Sequence, residues 1–95
     1  MKITRHLRIA GRVQGVGYRD ALRGAARTSG ITGWVRNRRD GTVEAVVQGS
    51  PEAVERILGW AKSRPPAARV TEVRAFEAAG ELDRPYSEFE FLPTV

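Results

Sequence analysis

The order of its hydrophobic patterns is the feature that most constrains the fold of this chain. Segments in which apolar and polar residues alternate are typical of half-buried strands, and segments in which apolar residues recur every three or four positions are typical of helices. The predicted strands cover residues 5–13, 32–38, 42–48, 70–77 and, as a short last strand, 86–92. The predicted helices cover residues 20–29 and a stretch between Ser50 and Pro65. The resulting order is β-α-β-β-α-β with one additional strand.

This order predicts an α+β fold of the ferredoxin-like, split βαβ type. Both helices must cover one face of an antiparallel sheet. The crossover through the first helix leaves room for the third strand between the first two, so we expect the strand order 4-1-3-2. A chain of 95 residues is long enough for one hydrophobic core and no more, and we therefore expect a single domain over residues 1–95.

Short signals mark the ends of the predicted elements. Ser50-Pro51 combines a capping residue with a proline at the first helical position, which favours a helix start. Asp40-Gly41 is typical of a turn between two strands. Gly30 suits the position that ends the first helix, and Gly24 inside that helix predicts a close packing contact.

The composition excludes several kinds of site. Because the chain has no cysteine and one histidine, it offers no thiolate zinc site, disulfide or cysteine nucleophile, and a single histidine argues against a histidine metal site or a Ser-His triad. No apolar stretch near Met1 indicates a secretory signal, so we expect a cytoplasmic protein. A net charge of +5 favours anionic partners such as nucleic acid, membranes or small phosphate compounds, or only a solvated basic surface.

The segment Gln14-Gly15-Val16-Gly17-Tyr18-Arg19 lies where the first strand passes into the first helix. Free backbone N–H groups at a helix start, together with one guanidinium group, can bind an anion, and we expect a phosphoryl group. The segment is not a Walker A loop, and Asp20 breaks a complete Gly-x-Gly-x-x-Gly motif. The alternative is a tight turn in which the glycines serve backbone geometry alone.

Asn37 lies at the exit of the second predicted strand, which runs in the same direction as the first. The ends of these strands therefore meet at one edge of the sheet, roughly 10 Å apart with one strand between them. A ligand between the strands could then contact both Arg19 and Asn37. The alternative is that Asn37 only caps the turn before Asp40-Gly41. We expect neighbouring Arg36 to be a surface residue of the strand.

Two segments of the chain carry a family resemblance. Residues 11–19, Gly-Arg-Val-Gln-Gly-Val-Gly-Tyr-Arg, resemble the first signature of the acylphosphatases. Residues 33–44, Gly-Trp-Val-Arg-Asn-Arg-Arg-Asp-Gly-Thr-Val-Glu, are similar to the second. The similarity covers about residues 5–65 and includes the spacing between the two segments. It implies the fold described above and an enzyme that hydrolyses acyl phosphates such as acetyl phosphate, carbamoyl phosphate or 1,3-bisphosphoglycerate.

The resemblance also implies the roles of individual residues. Arg19 matches the phosphate-binding arginine, and Asn37 matches the asparagine that orients the attacking water. The backbone of Gln14, Gly15, Val16, Gly17 and Tyr18 matches the phosphate-binding loop, which a phosphate or sulfate anion could also occupy. The resemblance implies no metal, no cofactor and no covalent intermediate. We expect a monomer without a nucleic-acid or membrane partner.

Other conspicuous residues have structural interpretations. Tyr18 stands where phenylalanine is commoner, and its hydroxyl group needs a hydrogen-bond partner. We expect Trp34 to be a packing residue, Trp60 to lie at the edge of the core face of the second helix, and His6 to face solvent. Asp20 is in the first turn of a helix, where it complements the helix dipole or offsets the charge of Arg19.

RNA binding and a purely regulatory or ligand-binding role are the competing functions. Sheets that recognise RNA carry aromatic residues on the open face of their central strands. The outward residues of the first and third predicted strands include no aromatic side chain: His6, Arg8, Arg12, Thr42, Glu44 and Gln48. The sequence therefore favours the phosphoryl-transfer function over RNA binding.

Overall fold

The computed structural model describes all residues 1–95, and it has the predicted order of elements. Its strands and helices are β1 (Ile3–Arg12), α1 (Tyr18–Thr28), β2 (Thr32–Asn37), β3 (Val43–Gly49), α2 (Pro51–Ser63), β4 (Arg69–Glu77) and β5 (Phe89–Phe91), with a 3-10 turn at Gly80–Leu82 before β5. The first helix begins two residues earlier than expected, so it starts directly after Gly17. Neither helix is long and apolar enough to cross a membrane.

The sheet has the strand order β4-β1-β3-β2-β5, which confirms the predicted order 4-1-3-2 and adds β5 beside β2. Strand β3 pairs antiparallel with both β1 and β2, and Val43 lies opposite Ile9 on one side and Asn37 on the other. The short β5 pairs parallel with β2. The ends of β1, β2 and β5 therefore lie at the same edge of the sheet.

One hydrophobic cluster of 15 buried residues lies between the sheet and the two helices. Helix α2 begins as predicted, because the Ser50 side chain accepts a hydrogen bond of 3.1 Å from the Ala53 amide and Pro51 occupies the first position. Trp34 is buried, and Trp60 packs against the core cluster, as expected. The prediction for Gly24 is wrong, since a side chain there would meet no atom within 4 Å.

The open face of the sheet differs from the expectation of a solvated polar surface. Glu44 is only 4% exposed, and its carboxylate accepts hydrogen bonds from His6 at 2.6 Å, Arg36 at 2.8 Å and Arg38 at 2.9 Å. Burial raises the pKa of Glu44, but these three hydrogen bonds outweigh burial and lower the pKa to about 2. His6 and Arg36 lie partly exposed on this face, each with a side-chain exposure of 25%, and both are bound to Glu44 and not simply solvated.

Gln48, on the same face, is also buried because a later segment crosses it. The side chain of Gln48 donates a hydrogen bond of 2.9 Å to the carbonyl of Arg84 and accepts one of 3.0 Å from the amide of Tyr86. Alternation in the sequence predicts which side of the strand such a residue lies on. It does not predict that another segment covers that side.

Candidate active site

A small cavity of about 110 Å³ lies at the edge of the sheet where β1, β2 and β5 end. It brings together Arg19 and Asn37, the two residues expected to act together although they are distant in sequence. The lining is completed by the loop before α1, by α1 itself and by β5: Val13, Gly15, Gly17, Tyr18, Asp20 and Phe91.

The loop before α1 has the backbone shape that its glycines predict. Gly15 and Gly17 have φ angles of 74° and 76°, in the left-handed region that glycine adopts without steric cost. A side chain at either position would meet no atom within 4 Å. The glycines are therefore required by backbone conformation and leave the loop open to an approaching ligand.

The amide groups of this loop donate no hydrogen bond to the protein. Gly17 is the residue before the first turn of α1, and no side chain caps the helix there. The N–H groups of residues 14–20 donate to no protein acceptor, and the first amide of the helix that does so is that of Ala21. Such amides at a helix start carry partial positive charge and can bind an anion.

Two polar side chains of the cavity, those of Arg19 and Asn37, have no hydrogen-bond partner in the protein. The guanidinium of Arg19 takes part in no hydrogen bond or ion pair, and it lies 5.2 Å from the centre of the Phe91 ring. The side-chain oxygen Oδ1 of Asn37 is buried and accepts no hydrogen bond. An unpaired buried oxygen is costly, so this atom is suited to hold a water molecule or a ligand.

Asp20 does not offset the charge of Arg19. Its carboxylate accepts a hydrogen bond of 2.9 Å from Arg23, one turn further along α1. The charge of Arg19 consequently stays uncompensated beside the free amides. A guanidinium group and free amides at one place are suited to binding a phosphoryl group.

Gln14 and Val16, which were expected to contribute through their backbone, do not line the cavity with their side chains. The side-chain amide of Gln14 instead donates hydrogen bonds to the carbonyl oxygens of Arg38 at 2.7 Å and Thr42 at 2.9 Å. Val16 packs against the hydrophobic cluster. These side chains fix the loop to the rest of the fold.

Tyr18 is buried at the start of α1, and its hydroxyl donates a hydrogen bond of 2.8 Å to the carbonyl of Ala61 in α2. The Ala61 carbonyl is thus the hydrogen-bond partner expected for the Tyr18 hydroxyl. Burial raises the pKa of Tyr18 well above its ordinary value, so the phenol stays protonated. Its ring also lies 5.8 Å from that of Trp60, and Tyr18 thus ties the two helices together beneath the loop.

Phe91 is the residue of the cavity that the sequence analysis missed. It lies opposite Val35 in the parallel pairing of β5 with β2, which brings its ring to the end of β2. The alternation of Phe89 and Phe91 indicates that both face the helices. To predict that Phe91 lies near Asn37, it would also have been necessary to know that β5 pairs parallel with β2.

No group of three or more histidine, cysteine or acidic side chains is arranged to hold a metal ion. The polar groups of the cavity without a protein partner are instead amide donors, one guanidinium and one carboxamide, and the Asp20 carboxylate is paired with Arg23. This set is suited to binding an anion and orienting a water molecule.

Comparison with known proteins identifies the family. The family model for acylphosphatase matches residues 5–91. The chain is 54% identical over 87 residues to an acylphosphatase of Thiobacillus denitrificans, covering 92% of this chain and 93% of the relative. It is 58% identical over 72 residues to one of Thermococcus kodakarensis, covering 76% of this chain and 79% of the relative.

The fold agrees with a solved structure of the same family. An acylphosphatase from Coxiella burnetii superimposes with a TM-score of 0.87 at 33% identity, over 96% of this chain and 93% of that chain. Sequence and fold thus lead to the same assignment. The chain belongs to the acylphosphatase family of hydrolases, enzymes that act on acyl phosphates.

Proposed function

We propose that this protein hydrolyses acyl phosphates by direct attack of water on phosphorus, with the phosphoryl group bound by the 14–19 loop amides and Arg19. The observation that carries the proposal is the shared cavity, in which the uncompensated Arg19 guanidinium and the unpaired Asn37 carboxamide meet the loop glycines. The free amides of the loop supply the remaining donors.

In the proposed reaction, the oxygen of a water molecule forms a bond to phosphorus while the bond from phosphorus to the acyl oxygen breaks. The carboxylate departs with the bonding electrons, and inorganic phosphate is the other product. Asn37 accepts a hydrogen bond from the water through Oδ1 and orients it in line with the leaving carboxylate. The water's proton passes to a phosphoryl oxygen, since the one carboxylate that lines the cavity, that of Asp20, is paired with Arg23.

The loop and Arg19 stabilise the transition state by electrostatics. Charge spreads over the equatorial phosphoryl oxygens during the transfer. Fixed amide dipoles and a guanidinium group stabilise this charge without having to reorganise. A carboxylate is a good leaving group, so the reaction needs no strong general acid.

A monomeric state is part of the proposal. The protein's cytoplasmic location and the absence of a nucleic-acid partner stay predictions. The proposed substrate is a small-molecule acyl phosphate whose phosphoryl group occupies the cavity of about 110 Å³.

The test is hydrolysis of acetyl phosphate in water enriched in ¹⁸O, with EDTA present. We expect the label in phosphate and none in acetate, with a phosphate monoester left intact as the negative control. Label in acetate would overturn attack on phosphorus, and loss of turnover in EDTA would overturn a metal-independent reaction.

Variants test the residue roles in the same assay. Arg19→Ala and Asn37→Ala should each lower kcat by about 10²- to 10³-fold, the typical loss for one preorganised donor. Arg19→Lys should also have a strongly lowered kcat, because lysine lacks the planar, two-pronged geometry of arginine. Arg12→Ala is the matched control, since Arg12 is an exposed arginine outside the cavity. Near-normal turnover by Arg19→Ala would contradict the mechanism.

A further inference from the structure

Arg19 reaches the cavity on a long side chain that no hydrogen bond holds. An arginine in this position has many rotamers, and ordering it for a ligand costs conformational entropy. The one contact that restricts it is the ring of Phe91, whose centroid lies 5.2 Å from the guanidinium carbon. This distance is within the range of a cation–π interaction.

The ring of Phe91 also contacts a second guanidinium. The guanidinium carbon of Arg23 lies 4.1 Å from the same centroid, and Arg23 is paired with Asp20 at 2.9 Å. Arg23 is thereby fixed between a carboxylate and an aromatic ring. The ring can hold Arg19 as well because the charge of Arg23 is already balanced by Asp20.

The backbone places this ring on a fixed strand rather than on a loose tail. The amide of Gly33 donates a hydrogen bond of 2.8 Å to the carbonyl of Glu88, and the amide of Leu92 donates one of 3.0 Å to the carbonyl of Val35. Phe89, two residues before Phe91 on the same side of β5, is buried in the core. Phe91 itself is 36% exposed, and it lines the cavity beside Arg19 and Asn37.

We propose that Phe91 is a positioning residue, whose ring holds the Arg19 guanidinium in the orientation that receives the phosphoryl oxygens. The proposal rests on the function proposed above for Arg19. In this arrangement the ring restricts the arginine while leaving all of its N–H donors free for the anion. A hydrogen-bonding partner would restrict it equally well but would compete with the substrate.

The test compares Phe91→Leu, which keeps an apolar side chain and removes the aromatic ring, with Phe91→Tyr, which keeps the ring. The measurements are the affinity for inorganic phosphate by calorimetry, kcat and KM for acetyl phosphate, and the melting temperature. Phe76→Leu is the matched control. Phe76 is another exposed aromatic residue, 5.8 Å from the guanidinium of Arg74, and it does not line the cavity.

We expect Phe91→Leu to lower both phosphate affinity and kcat/KM by about 2- to 30-fold, the range spanned by cation–π contacts. Phe91→Tyr should retain both values, and Phe76→Leu should leave both unchanged. Unchanged values for Phe91→Leu would overturn the proposal. An equal loss in Phe91→Leu and Phe91→Tyr would also overturn it, because the aromatic ring would then not be the cause.

The phosphate measurement separates this proposal from the proposed function. If the unmodified protein binds phosphate but does not hydrolyse acetyl phosphate, the proposed function fails. The effect of Phe91→Leu on phosphate affinity still decides whether the ring positions Arg19.

Discussion

The side-chain amide of Gln14 donates a hydrogen bond of 2.7 Å to the backbone carbonyl of Arg38. A second hydrogen bond from the same amide, of 2.9 Å, goes to the carbonyl of Thr42. The loop before α1 is thereby joined to both sides of the turn between β2 and β3, directly after Asn37. One side chain thus sets the distance between the two halves of the site.

We expect Gln14→Ala to lower kcat for acetyl phosphate by about tenfold, because misplacement of reacting groups by a fraction of an ångström is costly to turnover. Steady-state kinetics and chemical denaturation should be measured together. Gln48→Ala is the control, since Gln48 also joins two segments by its side chain but lies away from the cavity. It should lose stability and keep kcat, and a Gln14→Ala enzyme with unchanged kcat would contradict the positioning role.

Arg23 holds the Asp20 carboxylate in an ion pair, and we expect this pair to keep the carboxylate from competing with an anion at Arg19. In Arg23→Gln the carboxylate loses its partner at 2.9 Å and is free to pair with Arg19 or to repel phosphate. We expect phosphate affinity to fall by about three- to tenfold, as for other like-charge effects near an exposed site. The double variant Arg23→Gln/Asp20→Asn should recover most of the affinity in calorimetry, and failure to recover would show that Arg23 acts in some other way.

Tyr18→Phe should destabilise the protein by about 1 kcal/mol, since it removes the buried hydrogen bond to the Ala61 carbonyl. The hydroxyl points to α2 and not to the reacting atoms, so kcat should stay within about twofold of the unmodified value. Chemical denaturation measures the first effect and acetyl phosphate hydrolysis the second. A large loss of kcat at unchanged stability would mean that the hydroxyl has a role in the reaction.

The ionisation of Glu44 should make the free energy of unfolding depend on pH. Its pKa in the folded protein is about 2, against an ordinary value of 4.5, so the unfolded chain binds the proton more tightly. The stabilisation is fully present above about pH 4.5 and is lost as the pH falls towards about 2. Chemical denaturation of Glu44→Gln and of the unmodified protein at several pH values measures this stabilisation.

At neutral pH we expect Glu44→Gln to cost about 3 kcal/mol, because the charges of Arg36 and Arg38 lose their buried partner. The difference in the free energy of unfolding between the two proteins should shrink as the pH is lowered through this range. Glu55→Gln, at an exposed position of α2, should show no such trend. If the free energy of unfolding of Glu44→Gln differed from that of the unmodified protein by the same amount at all pH values, the lowered pKa of Glu44 would be contradicted.

The hydrophobic periodicity was sufficient to predict the order of the elements and of the four main strands. The position of β5 was not predictable in the same way. Its pairing depends on backbone hydrogen bonds, such as that from Gly33 to Glu88, which leave no trace in side-chain pattern. The place of Phe91 in the cavity follows from this pairing and was missed for the same reason.

The meeting of Arg19 and Asn37 was predictable because it follows from connectivity. Two parallel strands with one strand between them must end at the same edge of the sheet. The burial of Glu44 was not predictable, because alternation distinguishes the two sides of a strand but does not reveal that the Glu44 carboxylate accepts hydrogen bonds from His6, Arg36 and Arg38. Such contacts depend on rotamers of long side chains, which the pattern of the sequence does not encode.

The helix that begins at Tyr18 has Gly17 as its capping residue and no side-chain cap, and a glycine in place of a capping side chain costs a helix a few tenths of a kcal/mol. An anion bound there would complete the helix start, so ligand binding and folding are thermodynamically linked. Product phosphate at 100 times its dissociation constant would then add about 2.7 kcal/mol to the stability of the folded state. If the loop binds phosphate as proposed, we expect the protein to resist unfolding better in a phosphate-rich environment than without its ligand.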